Sequence, residues 1–166
     1  MKTGEKGIAL IKKWESLHDG DLSEIGLQPK LCPAGIWTEG WGHAMRHGGN
    51  FLTGEENKAL AYKISKVKTE QEAELLLKQD LAIAEAGVLG QHLHLNQNEF
   101  DAVVSLVFNI GLGAFLGSTL LKRIKADLPG ITDAFMMWNK ARVKGQLVEL
   151  RGLTARRQDE VKLYKS

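Results

Sequence analysis

Residues 31–43 read LCPAGIWTEGWGH, and the fold turns on what these thirteen residues become. They hold the only cysteine and two of the four tryptophans in the chain. They are too rich in Gly, Trp and Thr, and too poor in helix formers, for a helix. Pro33-Ala34-Gly35 is turn chemistry. The spacing predicts a β-hairpin with arms Lys30–Cys32 and Ile36–His43. Cys32 then faces Ile36, and Thr38 follows two positions along on the same face. Diagonal neighbours of that kind lie about 7–8 Å apart. A thiol and a hydroxyl would therefore project together from a short, stiff ribbon. That arrangement suits a site, and it equally suits a plain exposed hairpin.

Working toward the N-terminus, residues 16–30 (SLHDGDLSEIGLQPK) read as an irregular loop, punctuated by Asp19, Gly20, Asp21, Gly26 and Pro29. Its acidic residues lack the closing Glu of a calcium loop, so no metal is expected. Before it, Thr3 is a candidate N-cap for a helix reaching Glu15. Ile8, Leu10, Ile11 and Trp14 make its apolar face, and Glu15 shares that stripe by spacing. Burial and the negative end of the helix dipole would both favour a neutral, proton-bearing carboxyl there. The alternative is a frayed last residue turned to solvent.

Toward the C-terminus, Arg46–Leu52 reads as a turn and Gly54–Ile64 as a short helix. Thr69-Glu70-Gln71-Glu72 fits a capping box. A helix with Ala73, Leu76, Leu77, Leu81 and Ala84 on one face should follow. Asp80 falls inside that stripe, and a buried Asp requires a partner. His43, at the end of the hairpin, is the candidate, giving a structural pair. His92 and His94 have no third ligand and read as loop residues. Asn96 to Glu99 begins a strongly apolar, central helix (Phe100, Val103, Val104, Val107, Phe108), stopped by Gly111 and Gly113. Ser118 caps Thr119–Lys125. Pro129-Gly130 is a break, Thr132 or Asp133 caps the next helix, and Thr154 caps the last, which ends near Tyr164.

The sum is an α+β chain, mainly helical with one small sheet. At 166 residues it is expected to be one domain, with a helix-and-hairpin lobe over about 1–65 and a helical lobe over about 66–166. One cysteine permits no internal disulfide. No apolar run is long enough for a membrane helix, and the start is too short in its apolar part for a signal peptide. No phosphate-cradling loop or nucleic-acid motif appears. No cofactor is called for, and the chain is expected to be a monomer. Residues 1–121 hold 11 Lys/Arg against 15 Asp/Glu, whereas 122–166 hold 11 against 5. This basic end reads either as a patch for an anionic partner or as solvated helix faces.

The chemistry reduces to Glu15, Cys32 and Thr38, with His43 beyond. In these residues the chain resembles the phage-type lysozymes, glycoside hydrolase family 24. Their motif places a Glu at the end of the first helix, then an Asp or Cys, five residues, a Thr, and a T-x-G-x-G-H ending. Here that ending is Thr38-Glu39-Gly40-Trp41-Gly42-His43. Phe108-Asn109-Ile110-Gly111-Leu112-Gly113-Ala114-Phe115, Ser118-Thr119-Leu120-Leu121, and Gly152-Leu153 with Arg156-Arg157 resemble later family segments in order. Asp80-Leu81 matches an Asp-Leu that faces the hairpin histidine. Two departures stand out. Sixteen residues separate Glu15 from Cys32, about twice the usual number, and Glu39 stands where an apolar residue is common.

The resemblance implies a lysozyme-like fold and an endolysin that cleaves the β-1,4 bond between N-acetylmuramic acid and N-acetylglucosamine of peptidoglycan. Glu15 would be the acid and Thr38 the holder of the attacking water. Cys32 would be a weak base or, as thiolate, a nucleophile; Asp19 or Asp21 is the alternative second group. Phe108, Asn109, Ser118, Thr119 and Asn139 are candidates to contact the glycan strand, or else caps and core. Arg156 and Arg157 would meet carboxylates of the wall or pair with Asp159 and Glu160. The enzyme would collect in the host cytoplasm and reach the periplasmic wall through a holin pore. A transglycosylase needing only Glu15, and a non-catalytic wall-binding module, are the rival readings.

Overall fold

The computed structural model describes residues 1–166. By packing, the chain forms two compact units, Glu15–Asp80 and Met1–Trp14 with Leu81–Ser166. The first helix thus packs with the late helices, and the boundary expected near residue 65 falls instead at Asp80.

Helix α1 spans Glu5–Glu15 and buries Gly7, Ile8 and Ile11. Thr3 is not its cap. The Thr3 backbone N–H and hydroxyl both donate to Glu85, each at 2.8 Å. The free N–H groups of the first turn are met from another element: Gly4 and Gly7 donate to the Asp101 carboxylate at 2.9 and 3.2 Å. A remote carboxylate does the work of an N-cap.

In the unit Glu15–Asp80, strands β1 (Lys30–Leu31), β2 (Trp37–Glu39) and β3 (His43–Ala44) form an antiparallel sheet in the order β1-β2-β3. The arm predicted to run from Ile36 to His43 is in fact two strands. Gly40 and Gly42, at φ 57° and 89°, turn the chain between them, a conformation that suits glycine. Arg46–Leu52 is more than a turn: β4 (Arg46–His47) and β5 (Asn50–Phe51) pair across Gly48-Gly49, and Arg46 stacks 3.8 Å from the Phe51 ring. Trp37, Met45, Leu52 and Ala61 are the core of this unit. Trp37 Nε1 donates to the Gly54 carbonyl at 2.7 Å, and its ring meets Tyr62 edge-on. A 3-10 turn, Glu55–Asn57, leads into α2 (Lys58–Ile64). Thr69 and Glu72 close the expected capping box at the head of α3 (Glu70–Leu89).

In the other unit, α4 (Gln97–Ile110) is central: Phe100 to Val107 are all buried. Its capping box is Asn96 with Glu99. Gly111, at φ 86°, ends it, but Gly113 lies inside the next helix, α5 (Leu112–Leu116). Ser118 caps α6 (Thr119–Lys125) as expected. Helix α7 (Ile131–Met136) starts from Gly130, in the left-handed region at φ 87°, so neither Thr132 nor Asp133 is its cap. The sequence reading missed a ribbon, β6 (Lys140–Val143) with β7 (Gln146–Glu149), which turns at Lys144-Gly145. Helix α8 (Arg151–Tyr164) begins before Thr154, whose hydroxyl instead donates to Glu149 at 3.0 Å.

Candidate active site

Glu15 closes α1 and is half-buried. Ser16 follows at φ 58°, a left-handed turn that ends the helix at the carboxylate. Across from it stands the β2–β3 turn. A Cβ on Gly42 would lie 3.6 Å from Glu15 Oε2, so the bare backbone of Gly42 faces the carboxylate. The same turn holds the next segment, because the His18 backbone N–H donates to the Gly40 carbonyl at 2.8 Å.

Cys32 and Thr38 share one face of the β1–β2 ribbon. Lys30 pairs with Thr38 and Leu31 with Trp37, and the Cys32 N–H donates to the Ile36 carbonyl at 2.9 Å. The Gly35 N–H donates back to the Cys32 carbonyl at 2.8 Å, closing the Pro33-Ala34-Gly35 turn. The Cys32 thiol is free and half-buried. Thr38 is buried, and its hydroxyl donates to the Lys30 carbonyl at 2.9 Å. With its proton committed, the Thr38 oxygen is left as an acceptor.

His43 Nδ1 lies 2.9 Å from the Asp80 carboxylate, which ties β3 to α3. This hydrogen bond holds the imidazole above the usual histidine value against burial, and the charges of Asp80 and Glu39 act in the same direction. Glu39 was the residue least expected in this hairpin. It is buried, and its carboxylate accepts from the Ser65 hydroxyl (2.8 Å), Lys66 N–H (3.0 Å) and Val67 N–H (3.3 Å). It satisfies the backbone N–H groups of Lys66 and Val67, just past the end of α2, which would otherwise be left without an acceptor. A polar residue at a buried strand position is the only signal the sequence offers for this, and its partners are not readable.

Asp19 and Asp21 are engaged in shaping their own loop. Asp19 accepts from the backbone N–H groups of Asp21 and Gln28, and Asp21 from the Ser23 hydroxyl and N–H. Those Ser23 bonds hold the Asp21 carboxyl below the ordinary range.

The proposed glycan contacts lie in the other unit. Phe108 and Thr119 are half-buried, and Asn109 is exposed with its amide oxygen accepting from Arg157 at 3.0 Å. Ser118 is buried and its hydroxyl accepts from the Leu121 N–H. Asn139 is buried and donates to the Thr154 hydroxyl at 3.3 Å. Arg157 is fully buried, 2.8 Å from Glu160. Asp159 instead takes Lys13 at 2.6 Å and the Trp14 indole at 3.1 Å. Burial pushes the Glu160 carboxyl up, while Arg157, Arg156 and the Ser105 hydroxyl pull it down.

The family model described as phage lysozyme matches residues 22–160. The chain belongs to the phage lysozyme family. It is 40% identical to the endolysin of Acyrthosiphon pisum secondary endosymbiont phage 1 over 168 aligned residues, covering 100% of this chain and 99% of that one. It is 36% identical to the endolysin of Salmonella phage P22, covering 85% and 86%. Among solved structures, the muramidase domain of SpmX from Asticaccaulis excentricus matches with a TM-score of 0.77 at 31% identity, covering 99% of this chain and 98% of that one. The endolysin of Escherichia coli O157:H7 phage FAHEc1 matches with a TM-score of 0.77 at 34% identity, covering 99% and 93%. This phage lysozyme is a hydrolase of α+β, lysozyme-like fold. No helix in it is long and apolar enough to cross a membrane.

Proposed function

We propose that this phage-type lysozyme cleaves the β-1,4 bond between N-acetylmuramic acid and N-acetylglucosamine, as a single catalytic domain acting on peptidoglycan at host lysis. The observation that carries the reading is the position of Glu15, at a helix end and facing the bare backbone of Gly42. A carboxyl at a helix end, opposite a turn that carries no side chain at Gly42, is the group this reading assigns as the acid. Glu15 gives its proton to the glycosidic oxygen as the bond to the anomeric carbon breaks. A water donates one hydrogen to the Thr38 oxygen, which the Lys30 carbonyl has left as an acceptor. That hydrogen bond orients the water for attack on the anomeric carbon. Cys32, on the same ribbon face and in its thiolate form, takes the second hydrogen as a proton and becomes the thiol as the water oxygen bonds to the anomeric carbon. Phe108, Asn109 and Thr119 contact the glycan strand. Ser118 and Asn139, both buried, are proposed as further contacts of the same strand.

The enzyme works as a monomer, without a cofactor. It gathers in the host cytoplasm and meets the periplasmic wall once a holin opens the membrane. The test is a side-by-side digest of purified peptidoglycan with wild type and Glu15→Gln, read by mass spectrometry. Wild type should release fragments with reducing muramic acid ends, and Glu15→Gln should release none while keeping the wild-type circular dichroism. Anhydro-muramic ends would make the enzyme a transglycosylase. No release by either protein would make it a binding module.

A further inference from the structure

Glu39 and His43 are register partners across β2 and β3, so their side chains leave the sheet together, on the face away from Thr38. Both line a cavity of about 510 Å³ that lies wholly within the unit Glu15–Asp80. That is the size of a small-molecule site. None of Glu15, Cys32 and Thr38 lines it, so the chemistry proposed above leaves it without a role. Its floor is apolar. Met45 is buried there, and Ile64 of α2 and Leu76 of α3 are half-buried beside it.

The cavity's polar groups are donors that the protein leaves unused. The Lys66 ammonium, the Gln79 amide and the His47 ring are exposed on its rim and have no partner in the protein. His43 gives Nδ1 to Asp80 at 2.9 Å, which leaves Nε2 for a ligand. The two carboxylates nearby are already engaged. Asp80 is held by His43, and Glu39 accepts from the Ser65 hydroxyl and the Lys66 and Val67 N–H groups. Arg46 adds charge to the rim while its guanidinium donates to the Gly49 carbonyl and stacks on Phe51. With His43 protonated, Arg46, Lys66 and His43 stand against Glu39 and Asp80, and the balance is cationic. The free donors come from β3, β4, the Lys66 segment and α3. Four directions suit the tetrahedral oxygens of a phosphate better than the planar pair of a carboxylate.

We propose that this cavity binds a phosphomonoester, a phosphate group carried on a compact body of sugar size. Lys66 pairs with the phosphate, Gln79, His47 and His43 Nε2–H donate to its oxygens, and the C–H face of the body rests on Met45, Ile64 and Leu76. The site is separate from the bond the enzyme cleaves. It reaches the fold through His43, because a bound phosphate favours the charged imidazole that ties β3 to Asp80 of α3. The groups facing that imidazole are Asp80, Glu39 and Lys66, with Arg46 and His47 from β4.

The probes are glucose 1-phosphate, glucose, and vesicles of phosphatidic acid or phosphatidylcholine, each added to the whole protein. Followed by NMR, glucose 1-phosphate should shift the signals of His43, His47, Lys66 and Gln79 saturably, and glucose should not. Lys66→Met should weaken binding by about tenfold or more, the usual worth of a charge-assisted hydrogen bond, and Lys66→Arg should restore most of it. Neither variant should change the digestion of peptidoglycan. Bound phosphate should also raise the pH at which the His43 ring titrates, by linkage. Sedimentation with phosphatidic acid vesicles and not with phosphatidylcholine, lost in Lys66→Met, would put the phosphate on a lipid. Saturable binding of glucose 1-phosphate without sedimentation would put it on a soluble sugar, and either result supports the site. Binding of neither phosphate probe would overturn it. So would binding that ignores Lys66→Met and leaves the His43 titration in place.

Discussion

In the proposed mechanism a base at position 32 must face a water held by Thr38, and its side chain must be able to take up a proton. Aspartate meets both conditions from the same ribbon face. Cys32→Asp should therefore keep turnover, whereas Cys32→Ala should cost about 10²-fold or more in kcat, the usual worth of a general base. The rates are measured as reducing ends released per second, and equal rates for Ala and wild type would make Cys32 a bystander. His43 gives a second prediction at this scale. Its folded pKa lies above its unfolded value of about 6.5. The stability it adds is complete below that value and is lost as pH rises through the folded value. Urea midpoints followed upward from about pH 6 should fall in wild type, and Asp80→Asn should flatten that slope. The places of such residues were legible in the sequence where chemistry and spacing agreed. Glu15 ended a periodic stripe, and Asp80 needed a partner where His43 was on offer. Thr3 and Thr154 were misread because a hydroxyl near a helix start looks like a cap wherever it points. Their acceptors, Glu85 and Glu149, are chosen by tertiary packing.

At the scale of elements, close approach decides more than propensity does. Helix α1 can sit against α4 because Gly7 lacks a side chain: a Cβ there would lie 2.6 Å from Thr3 Cγ2 and 2.8 Å from Asp101 Cβ. Gly7→Ala should raise helix propensity yet destabilise the protein by about 1–3 kcal/mol, since the packed neighbours must move. Chemical denaturation checks the sign: a gain in stability would mean that the α1–α4 contact yields easily. The two missed ribbons share one cause. Each is a pair of very short strands, with exposed residues on both faces in β4, β5 and β7, so there is no alternation of buried and exposed residues to read. Their turns, Gly48-Gly49 and Lys144-Gly145, both run through positive φ, and those dipeptides were the only available signal. The long helices α3 and α4 had capping boxes and fell where they were expected, whereas α8 began before its expected cap, Thr154.

At the scale of the molecule, each packing unit carries its own response to pH. In the unit that contains both chain ends, burial pushes the Glu85 carboxyl up. The ammonium of Lys2 and the Thr3 N–H and hydroxyl outweigh it and leave Glu85 below its ordinary value. The stability this adds is present above the unfolded value of about 4.3 and is lost as pH falls through the folded one. Hydrogen exchange followed downward from about pH 4 should quicken first around Thr3 and α1, and Glu85→Gln should remove that acid sensitivity while the segment around His43 is unchanged. The broad architecture was legible because ordered motifs run through the whole chain. The unit boundary was not, because it falls inside the unbroken helix α3, at Asp80 and Leu81, where composition does not change. That connectivity also bears on how the chain is made. The unit Glu15–Asp80 is contiguous and can close as it leaves the ribosome. Helix α1 emerges earlier, yet Asp101, which holds its first turn, follows 94 residues after Gly7. At about 5–20 residues per second that is a wait on the order of ten seconds. Ile8 and Ile11 stay uncovered through it, so the helix synthesised first is among the last to be seated.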